Sequence, residues 1–275
     1  MSKIFSKPVT FAELKRNFDD CIYAIPKLQR NYIWDKKRVC MLFDSIYNHY
    51  PIGVSLIWKA KSNQIAELKH STKTIMPSFN PNRSTIDFII DGQQRLTSIY
   101  GVIDGINQSK DFNSKIDFKK ICFSFDKNSD RFSFVPKYDI SNTMYMPVHD
   151  IINCSPARLK RRFDLNKQKM SEVLKLKENI RTYKFHFIFI ETNSVNEVKE
   201  TFVRINSQGM KVSNADRIFA RITDVNLREL VESTRHALMR VQFNEIEPKS
   251  FIYTLALSKG EKEIGQRALD NFKEI

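Results

Sequence analysis

Three short segments of this 275-residue chain combine residue types that can do chemistry. The sharpest is Asp91-Gly92-Gln93-Gln94-Arg95, which follows a β-rich run at 85–90 and precedes a helical pattern at 96–100. Glycine at a strand-to-helix junction lets backbone approach a ligand closely. A helix start offers unpaired N–H groups at the positive end of its dipole, a ready anion site. Arg95 adds a fixed fork of donors that suits a phosphate. Gln93 and Gln94 can both donate and accept, so they can orient a base, a ribose or an attacking water. Asp91 can hold a metal through a carboxylate oxygen or a water. The same residues also fit a plain turn in which the Asp caps the helix and the Arg makes a surface pair, and caps are far commoner than phosphate sites.

The second segment, Ile25-Pro26-Lys27-Leu28-Gln29-Arg30-Asn31-Tyr32-Ile33-Trp34, puts Gln, Arg, Tyr and Trp into a loop before a helix. Aromatic rings supply stacking faces, and Gln and Arg supply donors. For Gln29 and Arg30 this reads as function; for Tyr32 and Trp34 it reads as anchoring in the core. The third segment is Phe202-Val203-Arg204-Ile205-Asn206-Ser207-Gln208-Gly209, with Arg204 and Asn206 two apart at a helix end. Taken alone it is a helix C-cap, since Gly209 suits the position after a last turn.

The elements that must place these segments can be read from period and punctuation. Thr10 and Glu13 form a capping box for a helix to about 19. A short strand is expected at 21–25, and Asp35 N-caps a helix with a broad apolar stripe. Positions 54–58 read as a buried strand. Residues 61–83 read as an exposed loop. The runs 121–125 and 132–135 read as a β-hairpin. A last strand is expected at about 184–190, with Phe185, Phe187 and Phe189 on one face and His186 partly buried. Ser194 and Glu197 form a second capping box for a helix to 205, broken at 206–209, and Ser213 caps another to about 221.

Composition sets the wider bounds. Lys plus Arg is 45 and Asp plus Glu is 31, a surplus of +14, which favours polyanionic partners. Residues 154–184 carry ten Lys and Arg against three Asp and Glu, a local +7. There Arg158, Lys160, Arg161, Arg162, Lys167 and Lys169 are the candidates for contact with a DNA backbone, against the alternative of a solvated helix face. No apolar run approaches the ~18 residues of a membrane span, and residues 1–18 lack the apolar stretch of a signal peptide. Cys21, Cys40, Cys122 and Cys154 form no CxxC pair, so a zinc finger is not expected, and reduced thiols in the cytoplasm are. The sequence ends in helical-looking residues, which leads one to expect a longer parent protein.

IPKLQRNYIW, DGQQRLTS and FVRINSQG, in this order, resemble the N-terminal domain of GmrSD-type, modification-dependent (type IV) restriction enzymes. The same domain occurs in the phosphorothioate-sensing SspE type. The intervening PIGVSLIW fits as well, and the resemblance spans 25–221. It implies an α+β fold: a ParB/sulfiredoxin-like core with a small mixed sheet and helices over 1–147. A mainly helical part over 148–275, with one further strand and the FVRINSQG motif, would pack on that core. It implies binding of a nucleoside triphosphate with Mg²⁺, and its hydrolysis, coupled to recognition or cleavage of foreign modified DNA. Asp91, Gly92, Gln93, Gln94 and Arg95 would form the nucleotide site, with Asp91 on the metal and Gln29, Arg30, Arg204 and Asn206 facing the same pocket. The five His are scattered and form no HNH motif, so the nuclease half found in the family is not expected in this chain; whether it is a further domain, a separate subunit or absent altogether stays open. Two readings stay open beside this one: a DNA-binding sensor without turnover, and a ParB-like nicking nuclease. An oligomer is compatible with each; a membrane partner is not expected.

Overall fold

The computed structural model describes residues 2–26, 29, 32–61, 76, 80, 83–106, 116–137, 139, 144–208, 231, 233–235, 237–238, 250–251 and 254. These divide into two compact units. Described residues up to Thr192, except Gln29, form the first; Gln29 and those from Asn193 onward form the second. The domain boundary read from sequence at 147/148 falls inside the first unit, because the last strand of its large sheet lies well beyond it.

The first unit runs β1 (Lys3–Thr10), α1 (Phe11–Asp19), β2 (Tyr23–Ala24), α2 (Lys36–Tyr47), β3 (Ser55–Lys61), β4 (Thr85–Asp91) and α3 (Gln93–Asp104). It continues through a 3₁₀ turn at Phe118–Lys120, β5 (Ile121–Ser124), β6 (Phe132–Phe134), β7 (Tyr145–Pro147), α4 (Val148–Asn153), α5 (Pro156–Phe163), α6 (Lys167–Thr182) and β8 (Lys184–Glu191). The second unit contains α7 (Val195–Gln208). This is a mixed α+β architecture, as expected.

The large sheet has the order β1-β8-β3-β4-β2. β1 and β8 are antiparallel, β8 and β3 parallel, β3 and β4 antiparallel, and β4 and β2 parallel. The central strands are apolar at consecutive positions because both faces are buried: Ile57, Trp58, Phe88 and Ile89 are all inaccessible to solvent. β8 instead alternates. Phe185, Phe187 and Phe189 enter the core, while His186 faces solvent. The expected partial burial of His186 is therefore corrected; a period of two sends it to the opposite face from its Phe neighbours.

β1 was not legible as a strand because Lys3, Ser6, Lys7 and Pro8 interrupt its apolar pattern. It lies at the sheet edge, where the missing N–H of Pro8 is tolerated. The expected hairpin is present as β5 and β6, and the unforeseen three-residue β7 pairs along the other side of β5.

Side chains start four helices of the first unit, and in the second Ser194 Oγ starts α7 by accepting from the Glu197 N–H. Thr10 Oγ1 accepts from the Glu13 N–H, Asp35 Oδ1 from Arg38, Ser155 Oγ from Arg158 and Asn166 Oδ1 from Lys169. The Glu13 carboxylate does not close the expected capping box; it pairs with Lys7. Lys177 ends α4. Its ammonium donates to the carbonyls of Ile151, Ile152 and Cys154 at 2.6, 3.2 and 2.8 Å, and burial pulls its pKa down. Three cysteines are buried, and burial pushes the Cys40 and Cys122 thiols up to about 12, so they act as small core groups.

Candidate functional site

β4 runs into α3 through one residue, Gly92, at φ +91°. Two constraints select glycine here. The left-handed backbone is strained for any L side chain. A Cβ would also lie 2.5 Å from Ser55 Oγ, 3.0 Å from Ser55 Cβ and 3.1 Å from Arg95 Nη2. Gly92 is the N-cap of α3 and offers no side chain to its first turn. The alternative in which Asp91 caps this helix is thereby overturned, and the opening N–H groups are left to solvent or a ligand.

Arg95 is held from below. Its Nη2 donates to the Val54 carbonyl at 2.6 Å and lies 3.4 Å from Asp91 Oδ2. Gly53, at φ +85°, brings its backbone up to the guanidinium, and a Cβ there would approach Nη1 to 3.3 Å. The Arg95 side chain is 22% exposed and Asp91 40%. Among the described residues, Arg95 Nε and Nη1 make no hydrogen bond. The result is an anchored arginine with donors to spare, beside a helix start and an accessible carboxylate. A phosphate fits that set: helix N–H groups and guanidinium meet its oxygens.

The adjacent glutamines differ. Gln94 Oε1 accepts from the Ile33 and Trp34 N–H groups at 2.9 and 3.2 Å, clamping the loop before α2 onto α3. One turn on, Ser98 Oγ lies 2.7 Å from the Tyr32 hydroxyl. Burial raises the Tyr32 phenol, which stays protonated in that pair. Tyr32 is buried and Trp34 packs partly buried on the core, as expected for anchors. Gln93 is also buried, yet its amide makes no hydrogen bond among the described residues. It is the glutamine left free to meet a ligand.

The structure thus brings Asp91 to Arg95 together with the end of the second motif, residues 32–34, and with residues 53–55. Ser55 and Gly53 were missed in the sequence, where PIGVSLIW reads as a turn entering a strand. The signal was the spacing itself, which sets a glycine two residues before a strand's first hydroxyl. Of the other expected site residues, Gln29, Arg204 and Asn206 belong to the second unit, and Arg30 lies outside the described residues. Arg204 is exposed and pairs with Glu200 one turn earlier. The break expected at 206–209 is corrected, because α7 continues to Gln208. The helix expected after Ser213 lies outside the described residues.

Among the described residues, no three His, Cys, Asp or Glu side chains cluster to hold a metal. Asp91 could hold Mg²⁺ only with phosphates and waters supplying most of the other ligands. No described helix is long and apolar enough to cross a membrane.

The basic segment sorts by partner. Lys177 is spent on α4, Arg162 on Asp150 at 2.8 Å and Arg181 on Glu178 at 2.6 Å. Lys169 lies over the Phe125 ring. Arg158, Lys160 and Arg161 on α5, and Lys167 at the start of α6, are exposed with no ion pair among the described residues.

A family model described as the GmrSD restriction endonuclease, N-terminal domain, matches residues 10–223. An uncharacterized protein of Methanocaldococcus jannaschii is 27% identical over 283 aligned positions, covering 86% of this chain and 46% of that protein. The chain spans about half the length of this relative.

Proposed function

The chain belongs to the GmrSD restriction endonuclease N-terminal domain family, and on that premise we propose that it is the nucleotide-binding, NTP-hydrolysing regulatory domain of a restriction system acting on modified DNA. The observation that carries this reading is the Gly92 turn, an uncapped helix start flanked by the anchored, partly uncommitted guanidinium of Arg95. The first-turn N–H groups and Arg95 bind and orient the phosphates. Asp91 would hold the Mg²⁺ carried with them, which would supply neutralisation of the phosphate charge. Gln93, buried and uncommitted, orients the attacking water. Gln94 keeps the second motif against α3. The ParB/sulfiredoxin-like assignment of the core, a cytoplasmic setting, and an HNH nuclease domain or subunit as partner go with this reading. Gln29, Arg30, Arg204 and Asn206 enter this reading only as further nucleotide-binding residues that the family resemblance implies.

DNA is the second partner, met through Arg158, Lys160 and Arg161 of α5 and Lys167 of α6, which are exposed and make no ion pair among the described residues. They supply affinity and orientation without reading sequence.

The test is thermal melting with each of the four nucleoside triphosphates and Mg²⁺. A ligand that binds the folded state alone raises the midpoint. An unchanged midpoint with all four sinks the reading. Phosphate release with and without modified DNA then separates an NTPase from a sensor without turnover. Nicking of DNA by the purified chain with Mg²⁺ or Mn²⁺ would favour the nuclease reading instead.

A further inference from the structure

We propose that Ser55, the first residue of β3, is a phosphate-contacting residue of the Gly92 turn, its hydroxyl donating to an oxygen of the bound phosphate group. This rests on the nucleotide reading above and deepens it.

Ser55 is 5% exposed, yet its hydroxyl makes no hydrogen bond among the described residues. Among the described residues Thr97 Oγ1 alone is a fully enclosed side-chain polar atom without a partner, so the Ser55 hydroxyl keeps an opening through which a ligand can reach it. A Cβ on Gly92 would lie 2.5 Å from Ser55 Oγ and 3.1 Å from Arg95 Nη2, so glycine lets the hydroxyl and the guanidinium both pack directly against the turn backbone. Gly92 also begins α3, a 12-residue helix whose N-cap offers no side chain.

Three kinds of donor therefore converge: helix N–H groups, a guanidinium and a hydroxyl. A tetrahedral oxyanion takes donors from several directions at once, which fits this arrangement. Ser55 also has a fixed direction. β3 is locked between β8 and β4, with Ser55 opposite Phe187 in the parallel ladder. The hydroxyl is thus carried by the sheet, not by a mobile loop. It needs no rearrangement to meet a ligand, and such preorganisation strengthens binding.

The experiment is titration calorimetry on the full chain with each Mg²⁺–nucleoside triphosphate and, separately, with inorganic pyrophosphate. Ser55→Ala is expected to weaken both by about ten-fold or more, the range for losing one hydrogen bond to a charged group. Its melting midpoint without ligand should match the parent's. Should Ser55→Ala fold poorly, the near-isosteric Ser55→Cys gives the same reading, because a thiol is a weak donor. Parent-like affinity in a folded variant overturns the assignment of Ser55 while leaving the nucleotide reading standing. Weakening for the nucleotide but not for pyrophosphate overturns the phosphate contact in favour of ribose or base. A parent chain that binds pyrophosphate but no nucleotide keeps Ser55 as an oxyanion contact and removes the nucleotide. A parent chain that binds neither removes both.

Discussion

The cations of this protein are held in two contrasting ways. Arg95 is fixed by the Val54 carbonyl and seated against two glycines in left-handed conformation, with 22% of its side chain exposed. Arg158, Lys160 and Arg161 project from α5 into solvent, with no ion pair among the described residues. A held guanidinium meets a ligand with its entropy already lost and its geometry set, so it serves recognition of one small group. Solvated cations attract any polyanion, yield to salt and read no sequence. The +14 surplus therefore mixes two properties, and net charge alone reports mostly the second.

The contrast breaks most sharply at Gly92. Gly92→Ala forces a Cβ to 2.5 Å from Ser55 Oγ on a backbone at φ +91°. It should abolish nucleotide binding and cost about 1–3 kcal/mol of stability, seen by calorimetry and chemical denaturation. Shortening the neighbour in Ser55→Ala/Gly92→Ala should recover part of the stability but none of the binding. Arg95→Ala comes next. Losing charge-assisted bonds to phosphate should weaken binding by about ten- to a hundred-fold. Arg95→Lys should fail to restore it, because an ammonium cannot bond the Val54 carbonyl and offer a planar fork at once. Full binding by the lysine variant would mean that Arg95 acts as a point charge, and the distinction between held and solvated cations would fall.

The glutamine pair sharpens the comparison at a smaller scale. Gln94→Ala strips the acceptor from the Ile33 and Trp34 N–H groups and should cost about 1–3 kcal/mol of stability. Gln93→Ala removes an amide with no such partner. It should leave the melting midpoint near the parent's and lower phosphate release while nucleotide affinity is retained. The reverse pattern would exchange the two roles.

How much of this was legible depends on the range of the interaction. The strand–glycine–helix junction at 85–96 is local chemistry, and so are the caps at Thr10, Asp35 and Ser194, so each could be read from spacing. The division of labour between Gln93 and Gln94 was not legible. It depends on which of two adjacent side chains meets a loop some 60 positions away, and their types are identical. Ser55 was hidden for the same reason, since its importance comes from a strand pairing that sets it against Gly92. β1 was missed because an edge strand tolerates Pro8 and two lysines, and such tolerance erases the alternation that marks a strand. The basic segment showed the opposite error. Its ten cations looked alike, but Lys177 lies against three carbonyls at the end of α4 and Arg162 is paired with Asp150.

That sorting fixes the gentlest perturbation. Arg158→Ala/Lys160→Ala/Arg161→Ala removes exposed, unpaired charges from a helix whose buried side chains are Leu159 and Phe163, so stability should change by no more than about 0.5 kcal/mol. Nucleotide affinity should be unchanged, because none of the three touches the Gly92 turn. DNA affinity at low salt should fall. The slope of log affinity against log salt should also flatten, by about 0.9 for each phosphate that is no longer neutralised, so by up to about 2.7. Including Arg162 would confuse the result, since its removal leaves the 13%-exposed Asp150 carboxylate without its cation. Equal slopes for parent and variant would make this face a solvated helix surface. The DNA interface would then have to lie elsewhere in the chain, while the nucleotide turn would stand untouched, because its donors owe nothing to α5.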